Sequence, residues 1–159
     1  MKAVATFTGL IKGYIIFDQN KTTKVVTITV SLSGFKHYIK GQKGSQHGWH
    51  IHADGDLRNG CESACKHFNP TNKTHGDLTD LNSHVGDFGN LTISDNGHVN
   101  LTIKTSKISL TDPHSSIIGR MIIIHEDPDD LGLGHHDDSL TNGHSGRRLA
   151  CAVIGIAEN

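Results

Sequence analysis

The sequence lacks any apolar run long enough to cross a membrane, and it lacks stretches whose apolar residues follow the spacing of an amphipathic helix. It also lacks a charge bias, because 15 basic residues almost balance 16 acidic ones. That balance indicates neither a nucleic-acid partner nor an anionic membrane surface. Residues 1–6 begin directly in a strand-like alternation, without the apolar core of a signal peptide. We therefore expect a cytoplasmic protein with no membrane span and no nucleic-acid partner.

Period-two alternation and β-branched residues dominate what is present, so the sequence predicts an all-β protein. Its length of 159 residues suits one domain over 1–159 with a sizeable core. The predicted strands cover 3–8, 13–18, 24–33, 49–53, 90–94, 98–104, 120–125 and 150–157. Eighteen glycines against three prolines suit many tight turns, and Asp95-Asn96-Gly97 is the strongest hairpin signal. The long segments 67–88 and 127–148 fit no strand, and such segments are usually functional or disordered.

Six histidines and one aspartate between Trp49 and His125 form the main candidate for a functional site. They are His50, His52, His67, His75, His84, Asp87 and His125. A tetrahedral zinc ion takes only four ligands, so this set predicts two metal sites rather than one. Side chains alternate along a strand, so His50 and His52 would face one metal from a single rigid element.

The chemistry of the ligands divides the set between two kinds of metal. His75, His84 and Asp87 follow at loop-like separations, and the short stretch 84–87 allows a turn to bring an imidazole and a carboxylate together. Imidazole nitrogens with one hard oxygen suit zinc in a closed site. An all-imidazole set suits copper better. That set comprises His50, His52 and His125.

Other histidines have plainer interpretations. His98 and His114 stand beside turn signals, and His47 is close to the metal pair but displaced from it. Three more lie in a Gly/Asp/Asn-rich loop, which favours solvated loop residues over a tract that sequesters metal. These are His135, His136 and His144.

Taken in order, the motifs of this chain resemble those of the copper/zinc superoxide dismutase family over essentially the whole length. The matching segments are HGWHIH at 47–52, GC at 60–61, HFNP at 67–70, HG at 75–76, HVGDFGN at 84–90, IIGR at 117–120, HE at 125–126, DDLG at 129–132 and RLAC at 148–151. The resemblance implies an eight-stranded antiparallel Greek-key β-barrel or sandwich with long metal-binding and electrostatic loops.

The resemblance also implies a role for each site residue, with one copper and one zinc per chain. The ligands would be His50, His52, His67 and His125 for copper, and His67, His75, His84 and Asp87 for zinc. His67 would then bridge both metals through its two ring nitrogens and deliver a proton during turnover. Asp129 matches the carboxylate that links ligands of the two metals, and Arg148 matches the cation that holds the substrate anion.

The activity that the resemblance implies is dismutation of superoxide to O2 and hydrogen peroxide by a histidine-bound copper, with zinc as a structural and tuning metal. A homodimer and a copper-loading factor are further expected partners. Segments 117–119 and 154–156 resemble the family's dimer contacts, although their apolar residues could equally be core. The alternative is a non-catalytic domain that stores or delivers copper and zinc, which would need neither Arg148 nor His125. A zinc hydrolase is disfavoured, since no carboxylate stands out as a general base.

The cysteines match the family only in part. Cys61 and Cys151 match its intrachain disulfide, which would be unusual in a reducing compartment. Cys65-Lys66 stands where the family commonly has a small residue followed by proline. Cys65 is thus an extra thiol, for which an unpaired state without consequence is favoured over competition for Cys151 by thiol-disulfide exchange.

The electrostatic loop departs from the family in its charge. Where the family commonly pairs acidic residues with a lysine, residues 137–142 contain no lysine. Such a loop provides a weaker positive field for an anionic substrate. Arg147, next to Arg148, is the residue that could restore the charge.

Overall fold

A computed structural model describes residues 1–38 and 45–158 of the chain. These residues form eight β-strands and only short helical turns, as the sequence predicts. The strands are β1 (Lys2–Thr8), β2 (Lys12–Gln19), β3 (Val26–Ser33), β4 (Gln46–His52), β5 (Asp87–Thr92), β6 (His98–Thr105), β7 (Met121–His125) and β8 (Arg148–Ile156). The turns are two 3₁₀ segments at Phe35–Tyr38 and Gly60–Ala64, and one α-helical segment, α1, at Ser139–Asn142. Within the described ranges, no helix is long and apolar enough to cross a membrane.

The strands form one antiparallel sheet that curls into a nearly closed Greek-key barrel. Their order across the sheet is β5-β4-β7-β8-β1-β2-β3-β6, so β5 and β6 stand at its two ends. The short connection between β5 and β6 brings these ends together. In this turn Gly97 has a φ of 80°, and the backbone N–H of Ser94 donates to the carbonyl oxygen of His98 at 3.0 Å. The predicted turn and the predicted fold class are both confirmed.

Strict alternation of burial builds the core from β1, β2 and β3. In β3, Val26, Ile28 and Val30 are buried, while the residues between them are partly exposed. Across the barrel, Trp49 packs on Phe88 with ring centroids 4.9 Å apart. Each fully buried side chain of this size contributes about 1.5–3 kcal/mol to the free energy of unfolding, so the barrel is a rigid support for the loops.

Strands β4 and β7 are buried on both faces, which is where the functional histidines lie. Trp49, Ile51, Ile122 and Ile124 point into the core. The alternate positions of the same strands carry His50, His52 and His125 on the outer face. Long connections cover that face, so these imidazoles are buried without belonging to the hydrophobic core.

The connection between β4 and β5 attaches its backbone to Ile51. Ile51 N–H donates to Gly86 O at 2.9 Å, and Phe68 N–H donates to Ile51 O at 2.8 Å. Gly86 is required here, because a Cβ at this position would lie 2.2 Å from the carbonyl oxygen of Ile51. This attachment brings His67 beside His52, to which it forms an isolated antiparallel bridge.

The disulfide joins the same connection to β8. Cys61 and Cys151 form it with a Cα–Cα distance of 5.6 Å across a separation of 90 residues. Cys65 is an exposed free thiol, so the competing Cys65–Cys151 pairing is not the one in the structure. The predicted Cys61–Cys151 pairing is the observed one.

Removing this disulfide by Cys151→Ser should lower the free energy of unfolding by about 4–5 kcal/mol, because the unfolded chain then gains the freedom of a long loop. Denaturant unfolding under non-reducing conditions measures the difference. Cys65→Ser is the matched control and should leave the unfolding midpoint nearly unchanged. A Cys65–Cys151 peptide as the dominant linkage in unreduced, alkylated protein would contradict the assignment.

Candidate metal centre

Four histidines form a buried cluster on the outer face of the barrel. His50 and His52 project from β4, His125 ends β7, and His67 follows the Gly60–Ala64 turn. Their ligand atoms all lie within 4.8 Å of one another. One ring nitrogen of each, Nδ1 of His50 and Nε2 of the other three, is buried without a hydrogen-bond partner. Buried polar atoms are costly unless paired, so convergent unpaired nitrogens are the donor set of a metal ion.

A second cluster is built around the carboxylate of Asp87, at the start of β5. Its Oδ1 lies 2.8 Å from His67 Nδ1, 3.0 Å from His75 Nδ1 and 3.2 Å from His84 Nδ1. Its Oδ2 accepts the backbone N–H groups of His84 at 3.0 Å and Gly76 at 3.1 Å. Three imidazole nitrogens and one carboxylate oxygen thus face one point, which is a closed four-ligand arrangement.

His67 belongs to both clusters. Its Nδ1 faces Asp87, whereas its Nε2 faces the all-histidine cluster. Its ring centroid lies 4.2 Å from that of His50 and 5.5 Å from that of His84. Because imidazole has two nitrogens on opposite sides of the ring, this placement suits a bridge between two metal ions.

Asp129 connects the two clusters from behind. Its Oδ2 lies 2.8 Å from His50 Nε2, and its Oδ1 lies 2.7 Å from His75 Nε2. Gly143, with a φ of 71°, leaves room for this contact, since a Cβ there would lie 2.1 Å from Asp129 Oδ1. Each hydrogen bond fixes which nitrogen of its imidazole remains for a metal.

Burial keeps three histidines of the all-histidine cluster neutral, namely His52, His67 and His125. It lowers the pKa of His52 far below its usual value. Burial and the neighbouring His50 lower the pKa of His125 to about 2 and that of His67 to about 3. A neutral imidazole retains the lone pair that a metal requires, so these side chains are in the ligand-competent state at neutral pH.

Asp87 and Asp129, unlike these histidines, keep their charge although they are buried. Burial disfavours their charge, but hydrogen bonds with the surrounding histidines hold the pKa of both Asp87 and Asp129 well below the usual range. Burial likewise opposes a charge on His75, yet hydrogen bonds to the same two carboxylates raise its pKa to about 9. The charge of Asp87 is therefore balanced by a protonated His75 at neutral pH, and a dication that binds there would take the place of that proton.

Arg148 stands beside the all-histidine cluster, opposite His125 in the β7–β8 ladder. Its Nη1 donates to the carbonyl oxygens of Cys61 at 2.6 Å and Glu62 at 3.0 Å. Its Nη2 donates to the carbonyl oxygen of Cys65 at 2.6 Å. Carbonyl partners orient a guanidinium without neutralising it, so Arg148 presents a fixed positive charge.

A cavity of about 1040 Å³ adjoins both clusters and Arg148. His52, His67 and His125 line it from the all-histidine cluster, and His84 lines it from the other. Further basic residues contribute to its lining, namely Lys66, Lys73 and Arg120. An anion that enters this cavity would meet positive charge next to the histidines.

Comparison with known families gives the same assignment as this geometry. The family model described as copper/zinc superoxide dismutase matches residues 11–154. The chain belongs to the copper/zinc superoxide dismutase family. Membership accounts for the paired clusters, because copper and zinc are the metals that the family name implies.

The similarity extends to solved structures. The crystal structure of the clock protein EA4 matches with a TM-score of 0.87 at 39% sequence identity. The alignment covers 98% of this chain and 94% of that protein. The fold and its connections are thus shared over almost the whole length of both chains.

The residues present fit the two metals of the family. The all-imidazole cluster offers nitrogen ligands that suit copper, and the mixed cluster offers three nitrogens and one oxygen that suit zinc. A third group, His50, His75 and Asp129, also lies within ligand distance, but its facing atoms already hydrogen-bond one another. The structure therefore brings together the residues predicted as ligands, in the two groups that the resemblance implied.

The other histidines whose side chains the structure describes lie outside both clusters. His47 is buried, with Nδ1 2.9 Å from the carbonyl oxygen of His125, so it supports the cluster from behind. His98 and His114 are exposed. His136 and His144 are exposed too, and their rings stack at 3.8 Å.

Sequence reasoning did not identify the other basic residues of the cavity. Lys66 could have been found from its position next to His67, whereas Arg120 lies in the matching segment at 117–120 without any sign in the sequence that it faces the site. Arg147, which the sequence suggested as a compensating charge, is not among the cavity-lining residues. It forms a two-pronged ion pair with Glu126, at 2.7 and 2.8 Å.

Replacing His67 should affect both metals, because each cluster loses a nitrogen and Asp87 loses a hydrogen-bond partner. We expect His67→Ala to weaken zinc retention about 10-fold or more and to change the Cu(II) spectrum. Metal analysis after dialysis and electron paramagnetic resonance provide the measurements. His98→Ala, at an exposed position, is the control. A copper spectrum that is the same with zinc, without zinc and without His67 would contradict the bridge.

Proposed function

We propose that the protein is a superoxide dismutase that converts two superoxide anions and two protons into O2 and hydrogen peroxide. The observation that carries this proposal is His67, which belongs to both clusters and lines a cavity that also contains Arg148. A protein that only stored metal would require neither a shared ligand nor a positioned cation at the entrance to the site.

The metals and the protein have separate tasks in this proposal. Copper, when bound by His50, His52, His67 and His125, supplies one-electron redox chemistry that no side chain of the chain can supply. Zinc is not redox-active, so the Asp87 cluster serves to orient His67 and to tune its basicity.

His67 is the residue we assign to proton transfer. Its Nδ1 is directed at Asp87, which leaves Nε2 as the atom that can hold and release a proton. Because His67 lines the cavity, a proton on Nε2 is available to an anion bound there. General acid catalysis of this type contributes about 10²–10⁴-fold to a rate.

Arg148 is the residue we assign to substrate binding. Superoxide is small and offers little surface for contact, so a fixed charge is the main interaction that the protein can provide. The three carbonyl hydrogen bonds of Arg148 hold its guanidinium in place before the anion arrives. Preorganisation of this kind removes the cost of ordering a long side chain on binding.

Activity should depend on the charge of Arg148. We expect Arg148→Ala to lower the rate of superoxide consumption about 10-fold, whereas Arg148→Lys should retain part of it. The measurement is a superoxide-consumption assay with metal analysis on the same preparation, in which active wild-type protein has about one copper and one zinc per chain. An unchanged rate for Arg148→Ala at equal copper content would refute this role.

Lys66 should contribute to steering, because residues 137–142 have no lysine and Arg147 is paired with Glu126. We expect Lys66→Gln to lower the rate of superoxide consumption about two- to threefold at low salt, which is the effect of removing one charge. The rate should also become less dependent on ionic strength. Pulse radiolysis across a salt series measures both. Arg147→Gln is the matched control, and equal salt slopes for all three proteins would contradict steering by Lys66.

The alternative function is copper and zinc binding for storage or delivery without turnover. The structural similarity to EA4, which is named a clock protein, keeps this alternative open, because one fold can serve unrelated functions. About one copper and one zinc per chain without superoxide consumption would select this alternative over the enzyme.

We further propose that the protein acts in the cytoplasm as a homodimer that receives copper from a loading factor. Ile117 and Ile154 are wholly buried core residues, but Ile156 is 69% exposed near the end of β8. A single exposed apolar residue is common on monomers, so the homodimer rests on the resemblance of segments 117–119 and 154–156 to the family's dimer contacts.

A further inference from the structure

A lysine that follows β6 contacts the segment that precedes His84, a ligand of the Asp87 cluster. Lys107 lies in the connection between β6 and β7, and its ammonium group donates to the hydroxyl of Ser83. The same group donates to the carbonyl oxygen of Asp80 at 3.2 Å. These contacts join residues 24 and 27 positions apart in the sequence, so they attach the β4–β5 connection to the β6–β7 connection rather than to itself.

The attached segment is closed by local bonds and leads directly to His84. Ser83 is buried, and its hydroxyl lies 2.7 Å from the carbonyl oxygen of Asp77 and 3.0 Å from that of Asp80. Lys73 donates to the carbonyl oxygen of Leu81 from the near side. The turn 77–83 is thus held between two lysines, of which Lys73 belongs to the same connection and Lys107 to the β6–β7 connection.

Lys107 is also close to the charge of the cluster. The side chain is half-buried, and burial lowers its pKa, while the carboxylates of Asp87 and Asp80 act in the opposite sense. Its position therefore combines a mechanical contact with the segment and an electrostatic contact with the ligand carboxylate.

We propose that Lys107 is a positioning residue for the Asp87 cluster. By hydrogen-bonding to Ser83 and Asp80, it fixes the segment that places His84 next to Asp87. The inference rests on the proposed assignment of zinc to that cluster. It extends that assignment, because Lys107 is neither a ligand nor a neighbour in sequence of any ligand.

The two possible effects of Lys107 on metal binding have opposite signs. An ammonium group near a dication repels it, so a purely electrostatic role predicts tighter metal binding once the charge is removed. A positioning role predicts weaker binding, because His84 would have to be ordered at the moment when the metal binds. The direction of the change therefore identifies the role.

The experiment measures Co(II) binding to the full chain after metal removal, by competition with a chelator and by the visible absorption of tetrahedral cobalt. Lys107→Met should bind Co(II) about 10-fold more weakly than wild type, with weaker tetrahedral absorption bands. Ser83→Ala keeps the lysine charge but removes its partner, and should also weaken binding. Lys107→Arg keeps the donors and should recover most of the affinity.

Lys104→Met is the matched control, because Lys104 is exposed on β6 and its removal should leave cobalt binding unchanged. Near-ultraviolet circular dichroism checks that each metal-free variant is folded. If wild type binds Co(II) and folded Lys107→Met binds it equally or more tightly, the role of Lys107 is overturned but the zinc assignment is not. Failure of the wild type to show tetrahedral Co(II) would overturn the zinc assignment and this inference with it.

Discussion

The carboxylate of Asp87 organises the metal-binding half of the molecule. This carboxylate is wholly buried. An ionised carboxylate in the protein interior costs on the order of several kcal/mol of stability unless hydrogen bonds and opposite charges offset that cost. Three imidazoles face Oδ1, and two backbone N–H groups bind Oδ2. All these partners come from the β4–β5 connection. The need to hydrogen-bond the Asp87 carboxylate therefore fixes the conformation of that connection.

Asp129 has the same effect on the second long connection, between β7 and β8. Its two oxygens bind one imidazole from each cluster, and the close approach of Gly143 shields the pair. The other two imidazoles of the all-histidine cluster are held by the backbone, since His52 Nδ1 lies 2.9 Å from Cys65 O and His125 Nδ1 lies 3.3 Å from Gly146 O. Two buried carboxylates and two backbone carbonyls thus each take one nitrogen of an imidazole and leave the other for a cation.

The barrel makes this arrangement possible by remaining rigid underneath it. The Cys61–Cys151 disulfide and the carbonyl contacts of Arg148 connect the β4–β5 connection to β8, so the cationic side of the cavity is also fixed. Membership of the family and the similarity to the clock protein EA4 agree on this scaffold. They do not by themselves assign chemistry to it, because activity depends on the groups around the cavity rather than on the fold.

The amino-acid sequence by itself determined the fold class through a local signature, whereas the candidate ligand sets and the disulfide partners came from the resemblance of its motifs to one family. Period-two alternation identifies the strands, His50 and His52 share a face by strand geometry, and the motifs resemble one family in order. Only the tertiary structure decided which cations face the cavity. Lys66 and Arg120 both line it because non-local packing places them there, whereas Arg147 forms an ion pair with Glu126. The contact of Lys107 with Ser83 is likewise absent from any local pattern, because it joins elements whose proximity depends on closure of the barrel.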